Sequence, residues 1–423
     1  MMRRMRRTTR HRLLSLATLL VAASLLVGAY TLTAAPERNE DHPLSARGAD
    51  THADPTEHDF LPGTDPREGL GLDPSRFERD GDRYIQRLPD GRTVLLTLVP
   101  AVQEALDNQF KSRKVPYGGA VAIEPSTGRV LAMSSFSAAD ASVENYALRA
   151  QAPSASVFKL ISAAAFLEMT NIEASTPVCY SGGSSFLTEK DVLGDSANDR
   201  TCADLRDAIG RSLNAVIARL AYYNLSKAQL EEMALRFGYN REIPFELEVD
   251  VSEAEFVDDD IERARTAAGF WHVNLSPMHG ALIAAAIAND GIMMRPTLVD
   301  QIILADGAVA YQASPEPWMV SMSAERARQL SEMSESTTTT GTARRTFAER
   351  KDWPKELRVG GKTGTLSNKR PYLLFTWFVG WAPLDNPNIA VGALVANTEK
   401  WWIKGTHAAA NAILTYHRLR NGE

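Results

Sequence analysis

Two short apolar runs near the C-terminus, Leu373–Trp381 (LLFTWFVGW) and Ile389–Ala396 (IAVGALVA), constrain the fold more than any other stretch. Between them lies Ala382–Asn388 (APLDNPN), whose prolines, aspartate and asparagines are turn chemistry. With the preceding Arg358–Thr365 (RVGGKTGT), they predict three consecutive antiparallel strands. A hairpin far upstream has the same character: Gly119–Ile123 (GAVAI), a turn at Glu124–Gly128 (EPSTG), then Arg129–Ser134 (RVLAMS). Helical spacing marks Pro100–Phe110, with proline in its first turn, a run opening at Ser156, Ala203–Arg211, Ala215–Tyr223, Ser276–Asn289 and Ala324–Met333. The expected fold class is therefore α/β of the α+β type. A central antiparallel β-sheet is flanked by helices, with an all-helical subdomain and one N-terminal transmembrane helix ahead of them.

The last element rests on Arg3, Arg4, Arg6, Arg7, Arg10 and Arg12, which lead into Leu13–Ala35, a segment without a charge and long enough to cross a bilayer. Arginine on the near side places residues 1–12 in the cytoplasm and everything after residue 36 outside it. A cleaved secretory signal usually has a shorter apolar core, and Pro36 is a poor residue after a cut, so an uncleaved anchor over 13–35 is expected. Residues 36–92 carry Asp, Glu, His, Pro and Gly with almost no periodic apolar positions and read as an extracytoplasmic tether. A single catalytic domain then occupies 93–423, beginning at the strand-like Thr93–Val99. The formal net charge of -6 gives no reason to expect a nucleic-acid partner. Cys179 and Cys202 are the two cysteines, in a compartment where a disulfide can form. With no CxxC, no HExxH and scattered histidines, no metal or cofactor is expected.

Three stretches carry chemistry. Ser156-Val-Phe-Lys159 places a hydroxyl and an amine one helical turn apart, at the head of a run that is apolar on nearly every side. Burial there holds Ser156 rigidly and pushes the Lys159 pKa toward the range of a useful base. Ser212-Leu213-Asn214 lies between two helices; alone, it reads as a pair of caps for the second one. A similar pair, Ser196-Ala197-Asn198, sits in a loop with no helices around it and ranks lower. Lys362-Thr363-Gly364-Thr365 follows Gly360 and Gly361, so a strand stripped of side chains offers a cation and two hydroxyls. A phosphate loop also ends in Gly-Lys-Thr, but its earlier glycine spacing is absent and no helix follows. Asp258, Asp259 and Asp260 point in different directions as neighbours do and read as a solvated loop. His279, at a helix start, reads as a polar contact.

In this order, the three stretches resemble the penicillin-binding protein transpeptidases, a group related to the serine β-lactamases. The resemblance runs from about Thr93 to the C-terminus and extends to the GAVAIEPSTGRVLAMSS hairpin, LSPMHGALIAAAIANDG, Gly341-Thr342-Ala343 and WFVGWAP. It implies that Ser156 is acylated by the D-alanyl-D-alanine end of a peptidoglycan stem peptide, with Lys159 as general base. Ser212 would relay a proton to the leaving amine, and Asn214 would hold the acylated amide and the Lys159 amine. Lys362, Thr363 and Thr365, with Gly364 between them, would bind the substrate carboxylate, and the Ser156 and Thr365 N–H groups would form an oxyanion hole. It also implies β-lactams as ligands, the membrane as a partner and other cell-wall synthesis proteins as neighbours. A D,D-carboxypeptidase, a class D-like β-lactamase and a non-catalytic β-lactam sensor remain as alternatives. Asn214 speaks against the class D option, whose middle motif usually ends in an apolar residue. The sequence departs from the family at Ser154-Ala155, where many members carry Pro-Gly, and at Leu160, where many carry proline.

Overall fold

The computed structural model describes residues 65–139, 145–183, 186–195, 197–369, 372–398 and 403–423. The segments expected to form the cytoplasmic tail and the membrane span lie outside them. Among the described residues, no helix is long and apolar enough to cross a membrane.

A five-stranded antiparallel sheet forms the centre. Its order is Gly360–Lys369, Tyr372–Ala382, Ile389–Asn397, Tyr117–Ile123 and Val130–Phe136, so the three C-terminal strands and the upstream hairpin join edge to edge. The apolar runs are continuous because both faces of this sheet are covered. Trp377, Val379 and Trp381 enter one core with the helix Pro277–Ala288, while Phe378, Val391 and Ala393 enter the other with the helices Pro100–Arg113 and Gly405–Arg420. Gly360 and Gly361 have a cross-strand reason: a β-carbon at either would lie 2.7 Å from the Trp381 or Phe378 ring. The strand bearing Lys362 to Thr365 is one of the two edge strands, which leaves its far side to a different part of the chain.

The boundary drawn at residue 92 is corrected by a second five-stranded antiparallel sheet. Its order is Glu78–Asp80, Arg83–Arg87, Thr93–Leu96, Val299–Ile303 and Val309–Gln312, so the stretch read as the end of a tether is part of the folded domain. Gly81, at φ 63°, makes the tight turn of its first hairpin. Strand periodicity was hidden because Glu78–Asp80 is wholly exposed and the next strand buries only Ile85 and Gln86 in its interior. Gln86 is fully buried, donating to the Gly71 carbonyl at 3.0 Å and accepting from the Asp73 N–H at 2.8 Å.

The remaining helices, among them Lys159–Met169, Leu205–Arg211, Asn214–Asn224, Asp260–Ala267 and Ala324–Ser334, pack into a lobe that is helical but not all-helical. Within it, Val178–Tyr180 pairs with Thr201–Ala203, placing Cys179 directly across from Cys202, and the two form a disulfide. The loop between them is fastened by Arg219, which pairs with Asp199 at 2.7 Å and donates to the Asp191 carbonyl at 2.9 Å. Arg219 lies on the helix that Asn214 begins, so the cross-linked loop braces one wall of the site.

The structure divides Asp258, Asp259 and Asp260 among three tasks: Asp258 pairs with Lys227, Asp259 caps the helix Asp260–Ala267, and Asp260 pairs with Arg263. Ser336–Thr339 forms a further short helix directly after Ala324–Ser334.

A loop of 23 residues closed by a disulfide is worth about 3 kcal/mol through the unfolded chain. The double substitution Cys179→Ser, Cys202→Ser should lower the unfolding free energy by that order in urea denaturation; an unchanged urea midpoint would show that the loop is held by its other contacts alone.

Candidate active site

Ala155–Phe158 forms a single 3-10 turn that runs into the helix Lys159–Met169, so Ser156 stands just ahead of the helix and Lys159 opens it. This head is clamped from both sides. Ala152 and Pro153 pair with Leu275 and Asn274, the Ser154 N–H donates to the Val273 carbonyl at 2.9 Å, and the Trp377 indole N–H donates to the Pro153 carbonyl at 2.9 Å. Ala155 has φ 48°, in the left-handed region that favours glycine. The unusual Ser154-Ala155 lead-in thus leaves the turn in place, with its one strained residue buried.

Lys159 is fully buried. Its Nζ lies 2.7 Å from Ser156 Oγ, 2.7 Å from Asn214 Oδ1 and within hydrogen-bonding distance of the Ala268 carbonyl. Burial, and after it the Lys362 ammonium, holds the Lys159 pKa well below the ordinary amine value. A neutral amine has two N–H bonds and one lone pair. The two carbonyl oxygens take the N–H bonds, and the lone pair is left facing the Ser156 hydroxyl, which is the geometry of a general base.

Ser212 and Asn214 occupy a corner, as their spacing predicts, but not as caps. Ser212 ends the helix Leu205–Arg211 in the left-handed conformation, at φ 59°, and the N-cap of the next helix is Leu213, which makes no side-chain cap bond. Both polar tips thereby face the site: Ser212 Oγ accepts from Lys362 Nζ at 3.0 Å, and Asn214 accepts from Lys159. Asn198, of the rival pair, bonds Asp195 instead, and Ser196 lies outside the described residues.

On the edge strand, Lys362 is fully buried and its pKa is pushed down to about 7 by burial. Its Nζ also donates to the Thr363 carbonyl at 2.9 Å, so its charge reaches the cleft through Ser212 rather than by an exposed tip. Thr363, Gly364 and Thr365 line the cleft directly. A β-carbon on Gly364 would lie 3.0 Å from the Ser154 carbonyl, which shows how closely the strand passes the Ser156 turn. Ser156, Asn214 and Thr365 border both a cleft of about 550 Å³ and a smaller one of about 260 Å³, so the hydroxyl lies where two arms of one groove meet. Among the described residues, the cleft lining includes no pair of carboxylates and no cluster of metal ligands.

The structure also brings in residues that the motifs did not mark. Ala268 supplies a backbone carbonyl, which no side-chain pattern can announce. Gly269, at φ 89°, faces the Ser156 turn so closely that a β-carbon would lie 2.2 Å from the Ala155 carbonyl; its only sequence signal is an isolated glycine after Ala267-Ala268. Thr342 packs its N–H on the Gly210 carbonyl at 3.0 Å and its Oγ1 2.6 Å from Thr363 Oγ1, which explains the Gly341-Thr342-Ala343 stretch. His279 is elsewhere: it is fully buried, its Nε2 donates to the Phe237 carbonyl at 2.7 Å, and burial lowers its pKa to about 4.

The family model for the penicillin binding protein transpeptidase domain matches residues 118–415. The chain belongs to this family. A relative from Mycolicibacterium smegmatis, peptidoglycan D,D-transpeptidase PbpA, is 28% identical over 366 residues, covering 77% of this chain and 72% of its own length. Its Mycobacterium tuberculosis counterpart is 29% identical over 359 residues, covering 75% and 70%. Among solved structures, the D,D-transpeptidase domain of a peptidoglycan glycosyltransferase from Eggerthella lenta has a TM-score of 0.66 at 25% identity, over 78% of this chain and 84% of that one. Penicillin-binding protein A from M. tuberculosis, as its imipenem acyl-enzyme complex, has a TM-score of 0.62 at 25% identity, over 77% and 79%.

Two predictions follow from how this penicillin-binding site is held. Gly269→Ala should displace the Ser156 turn and lower the rate of acylation by benzylpenicillin by roughly 100-fold, since a shift of about 1 Å is enough for such a loss; a normal rate in the folded variant would show that the turn yields freely. The same rate should be bell-shaped in pH. It falls at low pH, when Lys159 gains a proton and its lone pair is lost, and falls again above about 7, when Lys362 loses the charge that faces Ser212. A rate that climbs steadily from neutral pH to pH ~10 would mean that Lys159 keeps an ordinary amine pKa.

Proposed function

We propose that this protein is a membrane-anchored serine D,D-transpeptidase. It cross-links peptidoglycan stem peptides through an acyl-enzyme on Ser156 and is acylated by β-lactams. The observation that carries this reading is the Lys159 amine, buried, 2.7 Å from Ser156 Oγ, with both of its N–H bonds directed at carbonyl oxygens. The relatives named as peptidoglycan D,D-transpeptidases support the substrate class, and neighbours captured as imipenem and penicillin G acyl-enzymes support the covalent step.

In the first half-reaction, Ser156 Oγ attacks the carbonyl carbon of the penultimate D-alanine as its proton moves to Lys159. The C–N bond breaks, and the departing amine takes a proton by way of Ser212. The Ser212 hydroxyl, 3.0 Å from the Lys362 ammonium, is polarised for that transfer. The substrate carboxylate sits on the Thr363 and Thr365 hydroxyls, with Lys362 behind them. The Ser156 and Thr365 N–H groups receive the developing oxyanion, a contribution of about 3 kcal/mol per donor in comparable enzymes. In the second half-reaction an amine of another stem peptide attacks the ester, and Ser156 recovers its proton. The charge-free run Leu13–Ala35 behind a cluster of arginines supports the anchor and an extracytoplasmic catalytic domain. Other cell-wall synthesis proteins are the partners such an anchored enzyme would meet.

Fluorescent penicillin added to membranes from cells expressing the full chain should label it for hours, the label should stay with the membrane after a salt wash, and Ser156→Ala should take no label. Equal labelling of both proteins would discard Ser156 as nucleophile. Rapid loss of the label would indicate a β-lactamase, stable label without peptide turnover a sensor, and hydrolysis without cross-linking a carboxypeptidase. Release of the labelled chain by salt would remove the anchor.

A further inference from the structure

The larger arm of the groove extends past Thr363, on the carboxylate side of Ser156, and its lining is one-sided in charge. Arg211, Arg345 and Lys404 border it, with Thr342, Thr346 and His407 between them, and no carboxylate is among the described residues that line it. Arg211 and Arg345 are exposed there and make no ion pair or side-chain hydrogen bond among the described residues, whereas the adjacent Arg344 turns away to pair with Glu349 at 2.8 Å. The 16-residue helix Gly405–Arg420 presents its N-terminal turn, through Thr406 and His407, to the same space, which adds the positive end of its dipole. At about 550 Å³ this arm has the size of a site for a drug-sized molecule, larger than a departing D-alanine needs.

Resting on the acyl-transfer reading above, we propose that this arm is the acyl-acceptor subsite, and that Arg211, Arg345 and Lys404 select an acceptor amine that carries a second carboxylate besides the one next to the amine. The leaving amine departs from this side of Ser156, so by microscopic reversibility the incoming amine enters by the same path. An acceptor with a carboxylate next to its amine places that group where the carboxylate of the departing D-alanine lay, on Thr363 and Thr365. Its chain then runs outward between Arg211 and Arg345, where guanidinium forks match a further carboxylate. In the step itself, the acceptor nitrogen bonds the ester carbonyl carbon and the bond from that carbon to Ser156 Oγ breaks. One amine proton passes by way of Ser212 and Lys159 to the departing oxygen, so that an amide and the free serine result with no net change in protons.

The test uses the purified full chain, a thioester analogue of an acyl-D-alanyl-D-alanine donor, and D-glutamate or D-glutamine as acceptor, two amines of nearly the same shape that differ in the second charge. The quantity read is the ratio of kcat/KM for aminolysis with D-glutamate to that with D-glutamine, taken within each protein so that general damage cancels. Wild type should favour D-glutamate roughly tenfold, and Arg345→Gln and Arg211→Gln should each bring the ratio toward one. A wild-type ratio near one, or a preference untouched in both variants, overturns the proposal while penicillin labelling of Ser156 leaves the acyl-transfer reading standing. Absence of penicillin label on the wild type overturns that reading and the acceptor subsite with it.

Discussion

A lysine with no contact with solvent is the interaction on which the rest of this structure depends. An ammonium at Lys159 would be costly to bury, and the fold meets that cost by leaving the amine neutral and giving its two N–H bonds the carbonyl oxygens of Asn214 and Ala268. Each of those partners comes from a different part of the chain: Asn214 from a corner between two helices, Ala268 from just past the end of a third. The helical lobe, with its disulfide ribbon and the Arg219 contacts behind Asn214, therefore serves to hold two acceptors in fixed positions around one nitrogen.

A second buried lysine gives the site its polarity. Lys362 lies on an edge strand of the central sheet, and its charge is passed to the groove by Ser212, whose left-handed backbone turns the hydroxyl toward it. Burial is the leading cause of the depressed pKa of both lysines, and the charge of Lys362 adds to the effect at Lys159. Base and cation are thus kept apart in protonation state by their surroundings, which is how one pair of like side chains performs two tasks. The edge position of the strand matters as much. An inner strand would have a neighbour where Gly364 instead passes close to the Ser154 carbonyl.

Much of this was legible before any coordinates. The continuous apolar character of Leu373–Trp381 and Ile389–Ala396 announced strands, because a sheet covered on both faces has no polar positions to interrupt it. The hairpin over residues 78–87 was not legible, because an exposed strand beside one with a charged outer face has almost no hydrophobic period to read. The Ser212 and Asn214 pair was ambiguous for a related reason. Serine and asparagine favour helix caps locally, and only the position of the neighbouring helices shows that Leu213 takes the cap position instead.

The sequence by itself determined which reactive groups the chain carries and their order, since Ser156, Lys159, Ser212, Asn214, Lys362, Thr363 and Thr365 are side-chain chemistry fixed residue by residue. It also determined the proximity of Ser156 to Lys159, because one helical turn is a local distance. Tertiary structure alone decided that residues 150 positions apart share a hydrogen bond, that a backbone carbonyl at Ala268 completes the base, and that Gly269 must lack a side chain. It alone gathered Arg211, Arg345 and Lys404 along one arm of the groove. Backbone acceptors, close approaches and the summed charge of a cleft belong to no single residue, so they exist only once the chain has brought its distant parts together.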